Sequence, residues 1–252
     1  MKVRTLLIPA LVFGVAIPGC RNDRASVHRQ QEPPGPGRLA AREQPANPEP
    51  TVIGVNTTRV DFDGKLAGVR VAILATDGFE ESELIDARQA LADQGASTVI
   101  VSTHAGEIQS HEHDVKGNRV KVDLSIEQAD PDQFDAMELP GGVVNGDKMR
   151  LDPSVTAFVK TFAHDGKPIA AISHGLWPMI EADAVRGRTV TSWPSLKTDL
   201  KNAGAKWVDA EVVVDKNFVT SRKPDDIPAY NEKAIELFAK RRAAIGGGPA
   251  PE

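Results

Sequence analysis

The residue most suited to covalent chemistry is Ser173, which follows the apolar run Ile169–Ile172 and precedes His174 and Gly175. An apolar strand that stops at a small polar residue, with glycine two positions later, is typical of a nucleophile elbow. There a sharp turn presents the side chain at the carboxyl end of a sheet. The same pattern also suits a serine that merely caps the following helix. A serine hydroxyl needs a general base, and His174 is a candidate.

The chain contains a single cysteine, Cys20, near its N-terminus. One cysteine cannot form a disulfide within the chain. A domain that begins after Cys20 also has no thiol available as a nucleophile, so any covalent chemistry at the elbow falls to the serine hydroxyl.

Two further polar features follow predicted strands. Glu83 comes shortly after the first strand, and Gly141-Gly142 come directly after the third. The carboxyl ends of strands in an open α/β sheet form the usual ligand site, so we expect these residues to meet Ser173 there. Alternatives remain open: Glu83 could simply complement a helix dipole, and the glycines could simply form a tight turn.

Strand and helix patterns alternate from Val69 onwards, which predicts a mostly parallel sheet with helices on both faces. Strands are expected at 69–74, 98–101, 136–139, 169–172, 189–191, 211–214 and 218–220. Helices are expected at 81–93, 154–163 and 228–242, and a hairpin or extended excursion carrying Gly117-Asn118 is expected at 106–122.

Four motifs resemble the ThiJ/PfpI family and occur in the family's order: Val71–Leu84, Asp135–Gly142, Lys167–Gly175 and Thr220–Ala229. The resemblance implies a flavodoxin-like three-layer α/β sandwich over residues 66–243. It also implies peptidase, glyoxalase or deglycase chemistry on peptides or small carbonyl compounds. The family's elbow reads Cys-His-Gly, whereas this chain has Ser-His-Gly, so thiol chemistry is expected to be lost or reduced.

The resemblance also implies roles for individual residues. Glu83 would lie next to the nucleophile, and the amides of Gly141 and Gly142 would face a developing oxyanion. His174 would act as a base or make a subunit contact, and Asp225 or Asp226 could orient it. We expect a homo-oligomer and no cofactor.

The remaining histidine and tryptophan side chains are expected to have structural roles or to be exposed to solvent. His111 and His113 would share one face of a strand, but no third ligand follows at a recognisable spacing, so we expect a solvated loop and no metal. The three tryptophans, Trp177, Trp193 and Trp207, are expected in the core or at subunit contacts.

The N-terminus is typical of a bacterial lipoprotein. Residues 1–19 combine a short basic start with an apolar stretch and end at Cys20, which we expect to be lipidated. Residues 20–60 are rich in proline and poor in large apolar side chains, which predicts a disordered tether, and residues 244–252 predict a disordered tail. From these features we expect the domain at the bacterial cell envelope, on the periplasmic or extracytoplasmic side.

The formal net charge is −5, and the segment before residue 61 is net positive, so the folded domain is more acidic still. An acidic domain argues against nucleic acid as the main partner. Three functions therefore remain: a ThiJ/PfpI-type enzyme with weakened chemistry, a non-catalytic binding or assembly module of the envelope, and a serine hydrolase using Ser173 and His174.

Overall fold

A computed structural model of the chain describes residues 52–53 and 64–244. The predicted signal peptide, Cys20 and the tail after Ala244 lie outside the described residues. So does the predicted tether, except that Val52–Ile53 forms a short strand, β1.

The described strands form three sheets, of seven, four and two strands. After β1, the described strands are β2 (Arg70–Leu74), β3 (Phe79–Glu80), β4 (Ser97–Ser102), β5 (Glu107–Glu112), β6 (Val115–Lys121), β7 (Leu124–Ser125), β8 (Ala136–Leu139), β9 (Ile169–Ile172), β10 (Thr189–Val190), β11 (Lys206–Trp207), β12 (Val212–Asp215) and β13 (Phe218–Ser221). The two-stranded sheet pairs β10 with β11. The described α-helices are α1 (Glu81–Asp93), α2 (Val143–Leu151), α3 (Pro153–His164), α4 (Trp177–Glu181), α5 (Lys197–Asn202) and α6 (Ile227–Ala244).

The central sheet has the strand order β12-β13-β9-β8-β2-β4-β7. Its neighbours pair in parallel except for β12, which runs antiparallel to β13 at one edge. This arrangement confirms the predicted α/β fold with a mostly parallel sheet. It also brings the carboxyl ends of β2, β8 and β9 together, because these three strands are adjacent.

Helices cover both faces of this sheet, which gives three layers. On one face, α3 packs its phenylalanines and α4 its Met179 against Met137 and Leu139 of β8. On the other face, Leu91 of α1 and Tyr230 of α6 pack against β-strand residues that include Ala136. Successive side chains of β8 thus point to opposite faces, as the pleat of a strand requires.

A second sheet has the order β1-β6-β5-β3 and contains the hairpin β5–β6. The predicted hairpin is confirmed, and it carries Gly117-Asn118 inside β6. The turn is formed by His113-Asp114, and His113 adopts a positive φ of 56°. The sequence pattern did not predict α2, the helix that follows Gly141-Gly142.

Candidate functional site

Ser173 lies at a sharp turn between β9 and a short 3-10 helix that leads into α4. Its φ of 58° is unusual for a residue with a side chain, and such a conformation costs of order 1–2 kcal/mol. Gly175 is required two positions later, since a Cβ there would collide with the backbone carbonyl of Leu139. The turn therefore has the strained conformation of a nucleophile elbow, and the residue at the cap position of the short helix is Ile172, not Ser173.

His174 is held on both ring nitrogens by hydroxyl groups. Nδ1 lies 3.3 Å from Ser173 Oγ, and Nε2 lies 3.3 Å from Ser195 Oγ. If Nδ1 accepts from Ser173, then Nε2 carries the hydrogen and donates to Ser195. Burial lowers the pKa of His174 to about 4, because the charged ring would lose its hydration. The ring is therefore neutral at pH 7.

The aromatic surroundings explain much of this burial. The rings of Trp177 and Trp193 lie with their centres 5.0 and 6.1 Å from that of His174. Two of the three tryptophans thus flank the candidate base, while Trp207 packs against the core and donates to Ser192.

The acids proposed to orient His174 are engaged elsewhere. Asp226 accepts two hydrogen bonds from Arg222, at 2.7 and 3.0 Å, and Asp225 pairs with Lys223 at 2.7 Å. The contact on the far side of the histidine ring is made by Ser195, which the sequence analysis missed. The sequence feature that could have identified Ser195 is its position shortly after the carboxyl end of β10, because ligands of α/β proteins bind at the carboxyl ends of the strands.

Glu83 is buried directly beside the elbow. Its Oε2 accepts a hydrogen bond of 2.7 Å from the Gly141 amide, while Oε1 has no partner among the described residues. Burial is the main cause that raises the pKa of Glu83 to about 8; the Gly141 bond opposes the rise and the charge of Glu80 adds to it. The carboxyl is thus neutral at pH 7. A buried, neutral carboxyl does not act as a surface charge that complements the helix dipole, so this alternative for Glu83 does not hold.

Gly141 and Gly142 shape the wall opposite the elbow. A Cβ on Gly141 would collide with Glu83 Oε2 and approach Ser173 Cβ to 2.7 Å, and Gly142 has a φ of 94° at the start of α2. Because Gly141 already donates its amide to Glu83, the candidate amide for an oxyanion is that of Gly142, which lines the pocket.

A second buried acid, Glu138, lies in β8 and was not predicted as part of the site. Tyr230 donates to its Oε1 at 3.4 Å, and Oε2 has no partner among the described residues. Burial, followed by the charge of Glu83, raises the pKa of Glu138 well above its ordinary value. In the sequence, Glu138 could have been recognised as a lone acidic residue inside an otherwise apolar strand.

Glu83, Gly142, Ser173 and His174 line a pocket of about 220 Å³. Its lining residues are Glu80, Glu83, His113, Asp114, Gly142, Val143, Ser173, His174, Trp193 and Pro224. The tip of the hairpin therefore reaches the site, although it was expected to be only a solvated loop. Within residues 64–244, no group of three His, Cys, Asp or Glu side chains is placed to hold a metal ion.

No helix in the described part of the chain is both long enough and apolar enough to cross a membrane.

Known proteins share this architecture. Over 170 residues, the chain is 41% identical to a deglycase of Thermococcus kodakarensis, an alignment covering 68% of this chain and 99% of the relative. It is 40% identical over 174 residues to protein/nucleic acid deglycase 2 of Escherichia coli, which covers 67% and 97% of the two chains.

A solved ThiJ/PfpI domain protein of Brachyspira murdochii superimposes with a TM-score of 0.64 at 21% identity, over 69% of this chain and 98% of that one. At this identity the match shows the fold. The sequence model of the DJ-1/PfpI family matches residues 69–237, a range that holds every residue of the elbow and its surroundings. The chain therefore belongs to the DJ-1/PfpI family.

Proposed function

We propose that this chain is a deglycase-like protein that binds a small carbonyl compound, or an amino group modified by one, and that its thiol-dependent turnover is lost or strongly reduced. The observation that carries the proposal is Ser173, which places an oxygen instead of a sulfur in a preserved elbow. The deglycase names of the relatives support the ligand class.

The surroundings of the elbow are suited to a carbonyl group. Glu83 is a neutral carboxylic acid at pH 7 and can donate a hydrogen bond from Oε1, which has no other partner among the described residues. The Gly142 amide begins α2, where the helix dipole favours negative charge. Both groups can bind a carbonyl oxygen, whose partial negative charge grows when a nucleophile adds to the carbon.

Activation of the nucleophile is the weak point. A serine hydroxyl must lose its proton to a base, and general bases work best when their pKa lies near the working pH. The pKa of His174 is about 4, so the neutral ring accepts a proton poorly at pH 7. Its second nitrogen faces the hydroxyl of Ser195, which cannot stabilise an imidazolium as a carboxylate would. Binding without rapid turnover follows from this arrangement.

A serine hydrolase is the second candidate, and one contact favours it. Ser173 Oγ and His174 Nδ1 lie 3.3 Å apart, close to hydrogen-bonding distance for a nucleophile and its base. A bound substrate could shorten this contact, since such bonds are often long in free enzymes.

Turnover assays separate the two candidates. The full chain with Cys20→Ala would be tested on methylglyoxal and on a p-nitrophenyl ester, alongside versions that add Ser173→Ala or Ser173→Cys. The proposal expects carbonyl binding by calorimetry, negligible turnover by the serine protein and new carbonyl turnover in the Ser173→Cys protein. Ester hydrolysis that disappears in Ser173→Ala would support the hydrolase instead.

We also propose that the mature chain is attached to an envelope membrane through a lipid on Cys20. The support is the N-terminal sequence: a basic start, an apolar stretch too short to span a bilayer comfortably, and a cysteine at its end.

A further inference from the structure

The pocket has a neutral inner end and an acidic outer end. At the inner end, Glu83 and His174 are both uncharged at pH 7, beside the Ser173 hydroxyl. At the more exposed outer end, the mouth, lie two acids that line the pocket: Glu80, at the end of β3, and Asp114, in the turn between β5 and β6. No lysine or arginine is among the described residues that line the pocket.

Glu80 is held in place and shielded from water. Its Oε2 accepts a hydrogen bond of 3.1 Å from the His113 amide, while Oε1 has only a longer contact, 3.9 Å, with His113 Nδ1. Only 13% of the Glu80 side chain is exposed. A carboxylate in such a position acts on a nearby cation more strongly than one fully in water, because the surrounding dielectric constant is lower.

Trp193 adds a second feature that favours cations. It lines the pocket and remains 39% exposed, although its ring also lies near His174. An open indole face attracts a positive charge through its quadrupole. The charges flanking Pro224 have little net effect, because Lys223 and Asp225 pair with each other at 2.7 Å.

An anion would meet the opposite conditions at the mouth, where the two carboxylates repel it and no lysine or arginine is among the described lining residues. The inner end differs, because the N-terminus of α2 favours partial negative charge near Gly142. A ligand with a carbonyl oxygen at one end and a positive charge at the other would satisfy both ends at once.

We infer that the pocket selects its ligand by charge: it takes carbonyl compounds that carry a cationic nitrogen and discriminates against those that carry phosphate. The carbonyl oxygen points inward to Gly142 and Glu83, and the cation lies between Glu80, Asp114 and Trp193. This inference rests on the proposed function and names the ligand class of the same site.

Three small aldehydes of different charge test the inference: betaine aldehyde, its neutral near-isostere 3,3-dimethylbutanal, and glycolaldehyde phosphate. Calorimetric titration of the full chain with Cys20→Ala should give an affinity for betaine aldehyde about five- to tenfold above that for the neutral compound. Glycolaldehyde phosphate should bind most weakly.

Variants assign the preference to the mouth. Glu80→Gln keeps an acceptor for the His113 amide but removes the charge, and together with Asp114→Asn it should reduce the preference to below about twofold. Glu107→Gln is the matched control, since that acid lies on the same hairpin, pairs with Arg119 and does not line the pocket.

The possible results separate the two proposals. Equal binding of the three aldehydes, tightest binding of the phosphate, or a preference unchanged in the double variant would overturn the inference and leave the proposed function standing. Failure of all three aldehydes to bind would overturn both.

Discussion

Replacement of Ser173 by cysteine should restore an activated thiol, because the groups that surround position 173 favour an anion whichever atom carries it. The α2 N-terminus and the neutral Glu83 lie beside it. The backbone of the elbow already has the required conformation, so the exchange of one atom changes little else.

The size of the effect follows from these neighbours. A hydrogen bond from neutral Glu83 to a thiolate would contribute about 1.5–3 kcal/mol, and the helix terminus about 0.3–1 kcal/mol. Burial of position 173, which is 5% exposed, opposes ionisation. Since one pKa unit corresponds to about 1.4 kcal/mol, we expect an apparent thiol pKa about one to two units below the free value of ~8.5.

The assay is the rate of iodoacetamide alkylation between pH 5 and 10, in the full chain carrying Cys20→Ala and Ser173→Cys. The thiol inflection should appear near pH 7. A second change should follow near pH 8, where Glu83 ionises, loses its donor hydrogen and begins to repel the thiolate. Addition of Glu83→Gln, which keeps a donor and cannot ionise, should remove the second change only.

An inflection at or above pH 8.5 would refute the reasoning, because it would show that the pocket does not stabilise an anion at position 173. The Cys20→Ala protein without the new cysteine has no thiol, and it therefore measures the background reaction.

Three further changes test other parts of the structure. The folded pKa of Glu83, about 8, exceeds its ordinary value of 4.5, so its stabilising contribution is complete below about pH 4.5 and is lost as the pH rises through 8. Denaturant unfolding should therefore show the wild type losing a few kcal/mol relative to Glu83→Gln between pH 5 and 8, and parallel pH profiles would contradict this. Gly141→Ala should destabilise the domain by about 2–3 kcal/mol, because the new Cβ collides with Glu83 Oε2. Gly68→Ala is the control, because nothing lies within 4 Å of the new Cβ, and it should cost only about 1 kcal/mol of backbone strain. If Gly141→Ala and Gly68→Ala lowered the melting temperature equally, the collision with Glu83 would be contradicted. Cys20→Ala should move the protein from the membrane to the soluble fraction, and unchanged fractionation and mass would rule out the lipid anchor.

The sequence by itself determined two of the elements that carry the site. The α1 helix and the β9 strand have the predicted bounds. The buried side chains of α1 repeat with the helical period, whereas β9 is a short continuous apolar run that is buried on both faces. The position of Ser173 also follows from the sequence, since an elbow is a local pattern of strand, small polar residue and glycine. The absence of a thiol after Cys20 required only counting.

Only the tertiary structure decided which side chains meet. Ser195 contacts His174 from 21 positions away, and Gly141 donates to Glu83 across 58 positions. No period or spacing encodes such contacts, because they depend on how neighbouring strands and their loops are arranged at one edge of the sheet. For this reason Asp225, which lies within the motif Thr220–Ala229, pairs with Lys223 and does not orient the histidine.

Protonation states were likewise set by packing. Glu83 and Glu138 are ordinary acids in the sequence, yet both are 1% exposed in the folded domain, where burial raises their pKa values. The hairpin tip illustrates the same principle for charge: His113 and Asp114 are a polar turn in the sequence and become part of the pocket wall only when β5 pairs with β3. The sequence therefore determined where the Ser173 hydroxyl lies, and the fold decided the hydrogen bonds, the burial and the electrostatic field that act on it.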